Sequence, residues 1–271
     1  MRRLFLSLAV TLGFAGLSQA QTVGEITKKA LEQMGKATSI SYDFYATERF
    51  SGGKIVNSEV KIKYQASPLK IYADAKKPTS ARLLYIPSEN SKVQVKKGIG
   101  LKLDPYNKML MADQHHPIYK AGFNTFKSII EFNLKAKGLT TSSADLGKFV
   151  KLVGSTTYDN QACWVLEIID NDYKIVSYTV KAGEDSVWDL GKKLCVPEYR
   201  IKELNDIGNS VTPGQVLKVP SSYAKKTTVY IDKDSYLPIY QKMEDNVGVY
   251  EIYEFKNLKL NVKFTAEDFT L

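Results

Sequence analysis

The apolar residues of this 271-residue chain keep two periods, and the switch between them is abrupt. Val23, Ile26, Ala30, Leu31, Met34 and Ala37 fall on one stripe of a helix. From residue 40 the spacing is two: Ile40, Tyr42, Phe44 and Ala46 alternate with Ser41, Asp43, Tyr45 and Thr47. Alternation gathers apolar side chains on one side only if the backbone is extended, because successive strand residues point to opposite faces. A chain with this pattern is limited to antiparallel strands with one buried face, which the helix can cover. Gly52-Gly53 turns the chain into Val56, Val60, Ile62 and Tyr64 at even spacing, so the two runs read as a hairpin.

The same reading places further strands at 69–74, 82–86, 92–95 and 100–103, a helix from Pro117 to about Lys135 with Ile118, Phe126, Ile129 and Ile130 on its apolar side, and strands at 149–153 and 163–169 across an Asp159-Asn160 turn. Strands in succession with isolated helices predict an α+β domain of about two hundred residues, enough for a substantial core.

Residues 178–220 break this pattern. Tyr178 to Val180 is a short strand; Val187, Leu190 and Leu194 share one helical face; Tyr199, Ile201 and Leu204 mark a second short helix ending near Asn205; and Pro213-Gly214 turns into an alternating strand from Val216 to Val219. This βααβ segment resembles a LysM domain. The resemblance implies a shallow groove for peptidoglycan or another N-acetylglucosamine glycan, between Gly183, Glu184, Asp185, Ser186 and Val187 on one side and Asn209, Ser210, Val211, Thr212, Pro213 and Gly214 on the other. The chain departs from the family in having two residues, Glu184 and Asp185, between the turn glycine and the serine before the first helix, where one is usual.

After the insertion, Ile231-Asp232, Leu237-Pro238, Asp245-Asn246-Val247-Gly248, Asn261 and Asp268-Phe269 follow in an order that resembles the C-terminal strands of bacterial outer-membrane lipoprotein carriers. The N-terminal half, with Pro78, Leu84-Tyr85, Leu103-Asp104-Pro105 and His116-Pro117-Ile118, is similar to a related uncharacterised envelope domain family. The resemblance implies a curved antiparallel sheet, an incomplete β-barrel, whose covering helices leave an apolar cavity for acyl chains. Its expected lining is Ile40, Tyr42, Phe44, Val60, Ile62 and Tyr64, with Phe126, Ile129 and Ile130 on the lid side. Alternating aromatics equally fill an ordinary core.

Met1-Arg2-Arg3, the apolar run from Leu4 to Leu17 and Ser18-Gln19-Ala20 have the three regions of a secretory signal. The expected division is residues 1–20 as signal, 21–177 and 221–271 as host domain, and 178–220 as inserted module, whose deletion should leave a folded host. The formal net charge is +9 at pH 7, but the lysines are dispersed and not interleaved with stacking aromatics, which argues against a nucleic-acid surface. No later stretch approaches the ~20 apolar residues of a membrane span.

Catalytic and metal motifs are thin. His115 and His116 are the two histidines; as neighbours before a proline they read as a turn, with side chains pointing apart. No cofactor is expected. Glu184-Asp185 and Glu244-Asp245 supply the acids for a minor reading, a glycan hydrolase. Cys163 and Cys195 would close a loop of about thirty residues if bridged, worth ~3 kcal/mol; the alternative for Cys163, beside Trp164, is a buried thiol. The sequence thus predicts a non-enzymatic exported protein, periplasmic or secreted, that binds a lipid or lipoprotein-like ligand in the host and glycan through the module. A peptidoglycan-anchored sensor or scaffold is the alternative.

Overall fold

The computed structural model describes residues 21–271; the expected signal segment lies outside the described residues. A helix, α1 (Val23–Lys36), leads into β1 (Ser39–Arg49) and the hairpin strand β2 (Ile55–Ala66), followed by β3 (Leu69–Lys77), β4 (Ala81–Tyr85), β5 (Val93–Lys97) and β6 (Ile99–Leu103). An irregular stretch precedes α2 (Asn124–Ala136) and the single turn α3 (Leu146–Phe149), and β7 (Val150–Tyr158) and β8 (Gln161–Ile169) form a second hairpin. The inserted segment is β9 (Ile175–Thr179), α4 (Val187–Leu194), α5 (Glu198–Asn205) and β10 (Val216–Pro220); β11 (Lys226–Asp232), β12 (Pro238–Glu244) and β13 (Val249–Leu260) complete the host.

Eleven strands form one antiparallel sheet in the order β6-β5-β4-β3-β2-β1-β13-β12-β11-β8-β7. Its two edges, β6 and β7, do not pair, so the barrel stays open. The order follows from hairpins: each strand pairs with its chain neighbour except where β11 pairs with β8 across the inserted segment and where β13 returns beside β1, with Phe44 opposite Phe255 and Ala46 opposite Tyr253. α1 begins with a capping box between Thr22 and Glu25 and buries Ile26, Ala30 and Met34 in the same core as Ile40, Tyr42, Phe126 and Phe255. The fold is therefore the expected α+β arrangement, a curved sheet covered by helices. Among the described residues no helix is long and apolar enough to cross a membrane.

Two local expectations need correction. The stretch from Pro117 to Lys135 is not one helix: a short turn at Ile118–Lys120 is separated from α2 by Gly122, whose φ is +82°. There a side-chain carbon would sit only 3.3 Å from the Tyr64 ring, so the ring would have to shift to admit one, and the Gly122 amide donates to the Tyr42 hydroxyl at 2.9 Å. The strand expected from Phe149 starts one residue later, because Leu146–Phe149 closes as a helical turn that buries Leu146 and Phe149.

The position of α1 is set by backbone contact as well as by its apolar stripe. A methyl group on Gly24 would fall on the carbonyl oxygen of Thr141. Helix propensity alone makes Gly→Ala favourable by up to ~1 kcal/mol. Overpacking reverses the sign: Gly24→Ala is expected to lower stability by about 1–3 kcal/mol, read as a lower urea midpoint.

Candidate functional site

The sheet is hollow where its cross-strand rows run through small residues. One row reads Tyr42, Ile62, Ala73, Leu83 and Val95 across five strands, and the next reads Phe44, Val60, Ala75 and Ala81. Large side chains on β1 and β2 meet alanines on β3 and β4, so the covering layer does not fill the concave face. The result is a cavity of about 350 Å³ between these rows, α2 and the segment 109–122. Tyr42, Phe44, Val60, Ile62, Phe126 and Ile129 line it. The other three expected lining residues are placed differently: Ile40, Tyr64 and Ile130 are packed into the core behind it. The lining also takes in residues that alternation does not single out, among them Ala73, Ala75, Val95, Met109 and Leu110. Cross-strand register, which is not visible in a single strand's sequence, selects them.

One end of the cavity is polar. Glu48, His116, Tyr223, Gln241 and Tyr253 reach it, and behind them lies a buried ionic junction between host and module. Glu48 and Glu251 are direct cross-strand partners, 3% and 0% exposed. The His115 Nδ1 lies 2.8 Å from a Glu251 oxygen and its Nε2 lies 3.0 Å from the Arg49 carbonyl, while its amide donates to Glu48 at 3.0 Å. Both ring nitrogens face oxygen acceptors, so both carry protons and His115 is an imidazolium. Burial works against that charge, but the Glu48 and Glu251 carboxylates outweigh it and hold the histidine pKa above its usual value. Burial also opposes ionisation of Glu251, but the facing His116 and His115 keep its pKa below the usual carboxylate range. Glu48, His115 and Glu251 are close enough for a metal site, and an ion there would have to displace a proton from His115.

His115 and His116 do not form a simple turn with diverging side chains. Both converge on Glu251, because Tyr223 donates to Glu251 at 2.8 Å and bonds to His116 Nε2 at 2.8 Å, with that nitrogen 3.3 Å from Glu251. The sequence signal for this junction lies in the rows Tyr42-Phe44-Ala46-Glu48 and Phe255-Tyr253-Glu251: each apolar face ends in a glutamate.

The first turn of α5 closes the junction. Tyr199 stacks on His115 at 4.5 Å, with Tyr250 on the opposite face at 4.7 Å. Asp245 accepts from Arg49 at 2.5 Å and lies 3.3 Å from Arg200 Nε; these cations and the Val247 and Gly248 amides overcome burial and keep its pKa low. Glu198 pairs with Lys120 at 2.5 Å. On the neighbouring face, Trp188 of α4 stacks on Tyr106 at 4.5 Å. The acid pair Glu244-Asp245, considered for hydrolysis, thus has Asp245 committed to arginines.

Within the module, the two loops of the expected groove lie side by side, joined by a bridge between Ser186 and Ser210. The Val187 amide donates to the Asn209 carbonyl at 2.9 Å and the Val211 amide to that of Asp185 at 3.1 Å. Gly183, Asp185, Ser210, Thr212, Pro213 and Gly214 are exposed along the rim, Ser186 and Asn209 are half-buried, and Val187 and Val211 belong to the module core. Asn209 is turned toward the host, donating to the Tyr106 carbonyl at 3.4 Å. Glu184 faces inward: it accepts from the Lys181 amide at 2.7 Å, from Lys193 and from Tyr178 at 2.7 Å, and these bonds hold its pKa down to about 2. It is a permanently ionised turn anchor.

The bridge between Cys163 and Cys195 is not formed; both are free thiols. Cys163 is buried on β8 near Asp232, whereas Cys195 ends α4 near Lys120 and Glu198, and burial pushes each thiol up to about 11.

The junction fixes a pH dependence. His115 titrates above its unfolded value, so its contribution is complete below about pH 6.5 and fades as pH rises through the folded pKa. Glu251 titrates below its unfolded value, so its contribution is complete above about pH 4.5 and fades on acidification. The pair therefore stabilises most between about pH 4.5 and 6.5. Glu251→Gln, which leaves a buried imidazolium short of its partner, is expected to cost about 3–5 kcal/mol in that window and to flatten the profile of urea midpoint against pH.

Residues 178–220 match the LysM domain family. No curated protein matches the chain. Among solved structures it is similar to the Pseudomonas aeruginosa MucA/MucB complex, at 10% identity over 92% of this chain and 60% of that chain with a TM-score of 0.43. It is also similar to the Mycobacterium tuberculosis lipoprotein LppX, at 13% identity over 90% of this chain and 98% of that one with a TM-score of 0.40. A third is a LolA superfamily protein from Nitrosomonas europaea, at 9% identity over 93% and 99% of the two chains with a TM-score of 0.35. The chain spans about 60% of the length of the MucA/MucB chain that it matches. The inserted segment, residues 178–220, is a LysM domain.

Proposed function

We infer that this is a non-enzymatic, exported protein of the bacterial envelope that holds an apolar ligand, a lipid or acylated peptide, in the host cavity and attaches to peptidoglycan or a similar glycan through its LysM domain. The cavity carries the reading. Its volume, about 350 Å³, lies within the ~300–1,000 Å³ of small-ligand sites, and its wall of aromatic, branched and alanine side chains suits an acyl chain, each buried methylene of which gains ~0.8 kcal/mol. The polar end, with His116, Tyr223 and Glu48, gives such a ligand a place for one polar group. Catalysis has less support: His115 sits between carboxylates that raise its pKa, Glu184 is held as an anion, and Asp245 is paired with two arginines, so each of these groups is already engaged by its neighbours.

For the glycan, the exposed rim from Gly183 to Asp185 and from Ser210 to Gly214 is the contact surface. The proposed division is a host of residues 21–177 and 221–271 and a module of 178–220. β9 and β10 pair with each other, so the module's ends are adjacent and its removal leaves a short gap to join. It also strips Arg200, Glu198 and Tyr199 from the buried junction, so the shortened host should fold with reduced stability.

Native mass spectrometry of residues 21–271, with titration of a fluorescent fatty acid, tests the cavity. A retained lipid and saturable probe binding are expected, and Ala75→Phe, which fills the hollow row, should weaken the probe at least tenfold. An empty protein that ignores the probe would shift the reading to a peptidoglycan-anchored sensor or scaffold. Sedimentation with purified peptidoglycan tests the module: Thr212→Arg on the rim should abolish pelleting without changing probe affinity.

A further inference from the structure

The cavity wall does not stop at the cavity. The row Tyr42, Ile62, Ala73, Leu83 and Val95 continues to Leu101, the cross-strand partner of Val95 on the edge strand β6. Beside it Ile99 is paired with Lys97, which also lines the cavity. Directly paired residues on antiparallel strands point to the same side, so Ile99 and Leu101 extend the concave apolar face beyond its cover. They are 81% and 42% exposed, and Met109, another lining residue, is 65% exposed. An isoleucine at the end of a hairpin is an expensive thing to leave in water unless something covers it.

Charge tells what covers it. Between Ser91 and Leu103 the chain has Lys92, Lys96, Lys97 and Lys102 and no aspartate or glutamate. All four lysines are exposed, and among the described residues none of them forms an ion pair, unlike the lysines paired elsewhere on the sheet, such as Lys63 with Asp268 and Lys226 with Glu167. The hairpin turns tightly at Gly98, with a φ of +76°, and Gly100 lies next to Ile99, so the tip carries little besides isoleucine, leucine and lysine. Alternation puts Lys97 on the side of Ile99 and Leu101 and puts Lys96 and Lys102 on the other side, so unpaired cations flank the apolar tip on both faces of the edge, which matches an interface with acyl chains below and anionic headgroups above.

We propose that the β5–β6 hairpin is a membrane-docking element: Ile99 and Leu101 insert into an anionic lipid surface, Lys92, Lys96, Lys97 and Lys102 bind its headgroups, and the row through Val95 connects that surface to the cavity. Ile99 and Leu101 are not among the residues that line the cavity, so the element is distinct from it.

Residues 21–271 are mixed with vesicles of phosphatidylglycerol and phosphatidylcholine, or of phosphatidylcholine alone, and binding is read by co-sedimentation. Binding to the anionic vesicles is expected, weakening as salt rises from about 0.05 to 0.5 M. Each lysine near the surface is worth about fivefold in affinity, so Lys96→Gln, Lys97→Gln and Lys102→Gln together should cost about 100-fold. Ile99→Asp should cost at least tenfold. In an Ile99→Trp variant, emission should shift to the blue on vesicles and be quenched by brominated lipid. Fatty-acid probe binding without vesicles reports the cavity alone and should survive Ile99→Asp, so a failed cavity and a failed docking element give different results. Equal binding to neutral vesicles, or binding indifferent to salt and to Ile99→Asp, would overturn the proposal. So would a concentration-dependent dimer that Ile99→Asp dissolves in the absence of vesicle binding, which would make a second copy the occupant.

Discussion

Two glutamates that face each other across neighbouring strands set the terms for much of this molecule. Glu48 and Glu251 lie at the ends of otherwise apolar rows and are cross-strand partners with almost no access to water. Like charges in that position repel, and burial adds a further cost. The structure compensates with the His115 imidazolium, and everything around the histidine follows from keeping it there. Its ring needs the Arg49 carbonyl for its second proton, Tyr250 and Tyr199 for its two faces, and His116 and Tyr223 to complete Glu251. Tyr199 belongs to the LysM domain, so a charge problem in the host sheet is solved partly by the insertion.

This coupling explains why the module is not a loosely tethered bead. Residues 104–120 are used on both sides: Met109, Leu110, Gln114 and His116 form part of the cavity wall, while Tyr106 and Met111 pack on the module core and Lys120 pairs with Glu198. The same irregular segment thus separates the cavity from the inserted module.

The legible parts of the sequence were those in which local pattern and tertiary environment agree. The α1 stripe, the β1–β2 hairpin and the two short module helices each carry their own periodicity and turn residues, and each stands where that pattern puts it. The cavity residues were legible only on β1, β2 and α2. Ala73, Ala75 and Ala81 gave no signal, because an alanine on a strand marks a hollow only once its partners across the sheet are known. The break at Gly122 was hidden for a related reason: it depends on Tyr64 pressing against the backbone from a strand about sixty residues earlier. The histidine pair was misread because adjacent side chains diverge only on a regular strand. At 115–116 the chain turns, and two side chains that start apart meet on one carboxylate.

Open sheets must protect their edges, and the two edges here do so differently. β7 leaves Leu152 and Val153 exposed beside Lys151 at one end, a single short apolar pair. β6 ends a row that begins in the cavity, and its exposed Ile99 and Leu101 carry that apolar face past the cavity lining. Lysines on an edge strand discourage pairing with another protein edge, and on β5 and β6 they are placed with no acid to neutralise them. The same residues that keep this edge from joining another sheet also make it attractive to an anionic lipid surface. Protection against aggregation and recognition of a membrane therefore demand the same chemistry here, and the apolar row leading inward distinguishes this edge from a merely defended one.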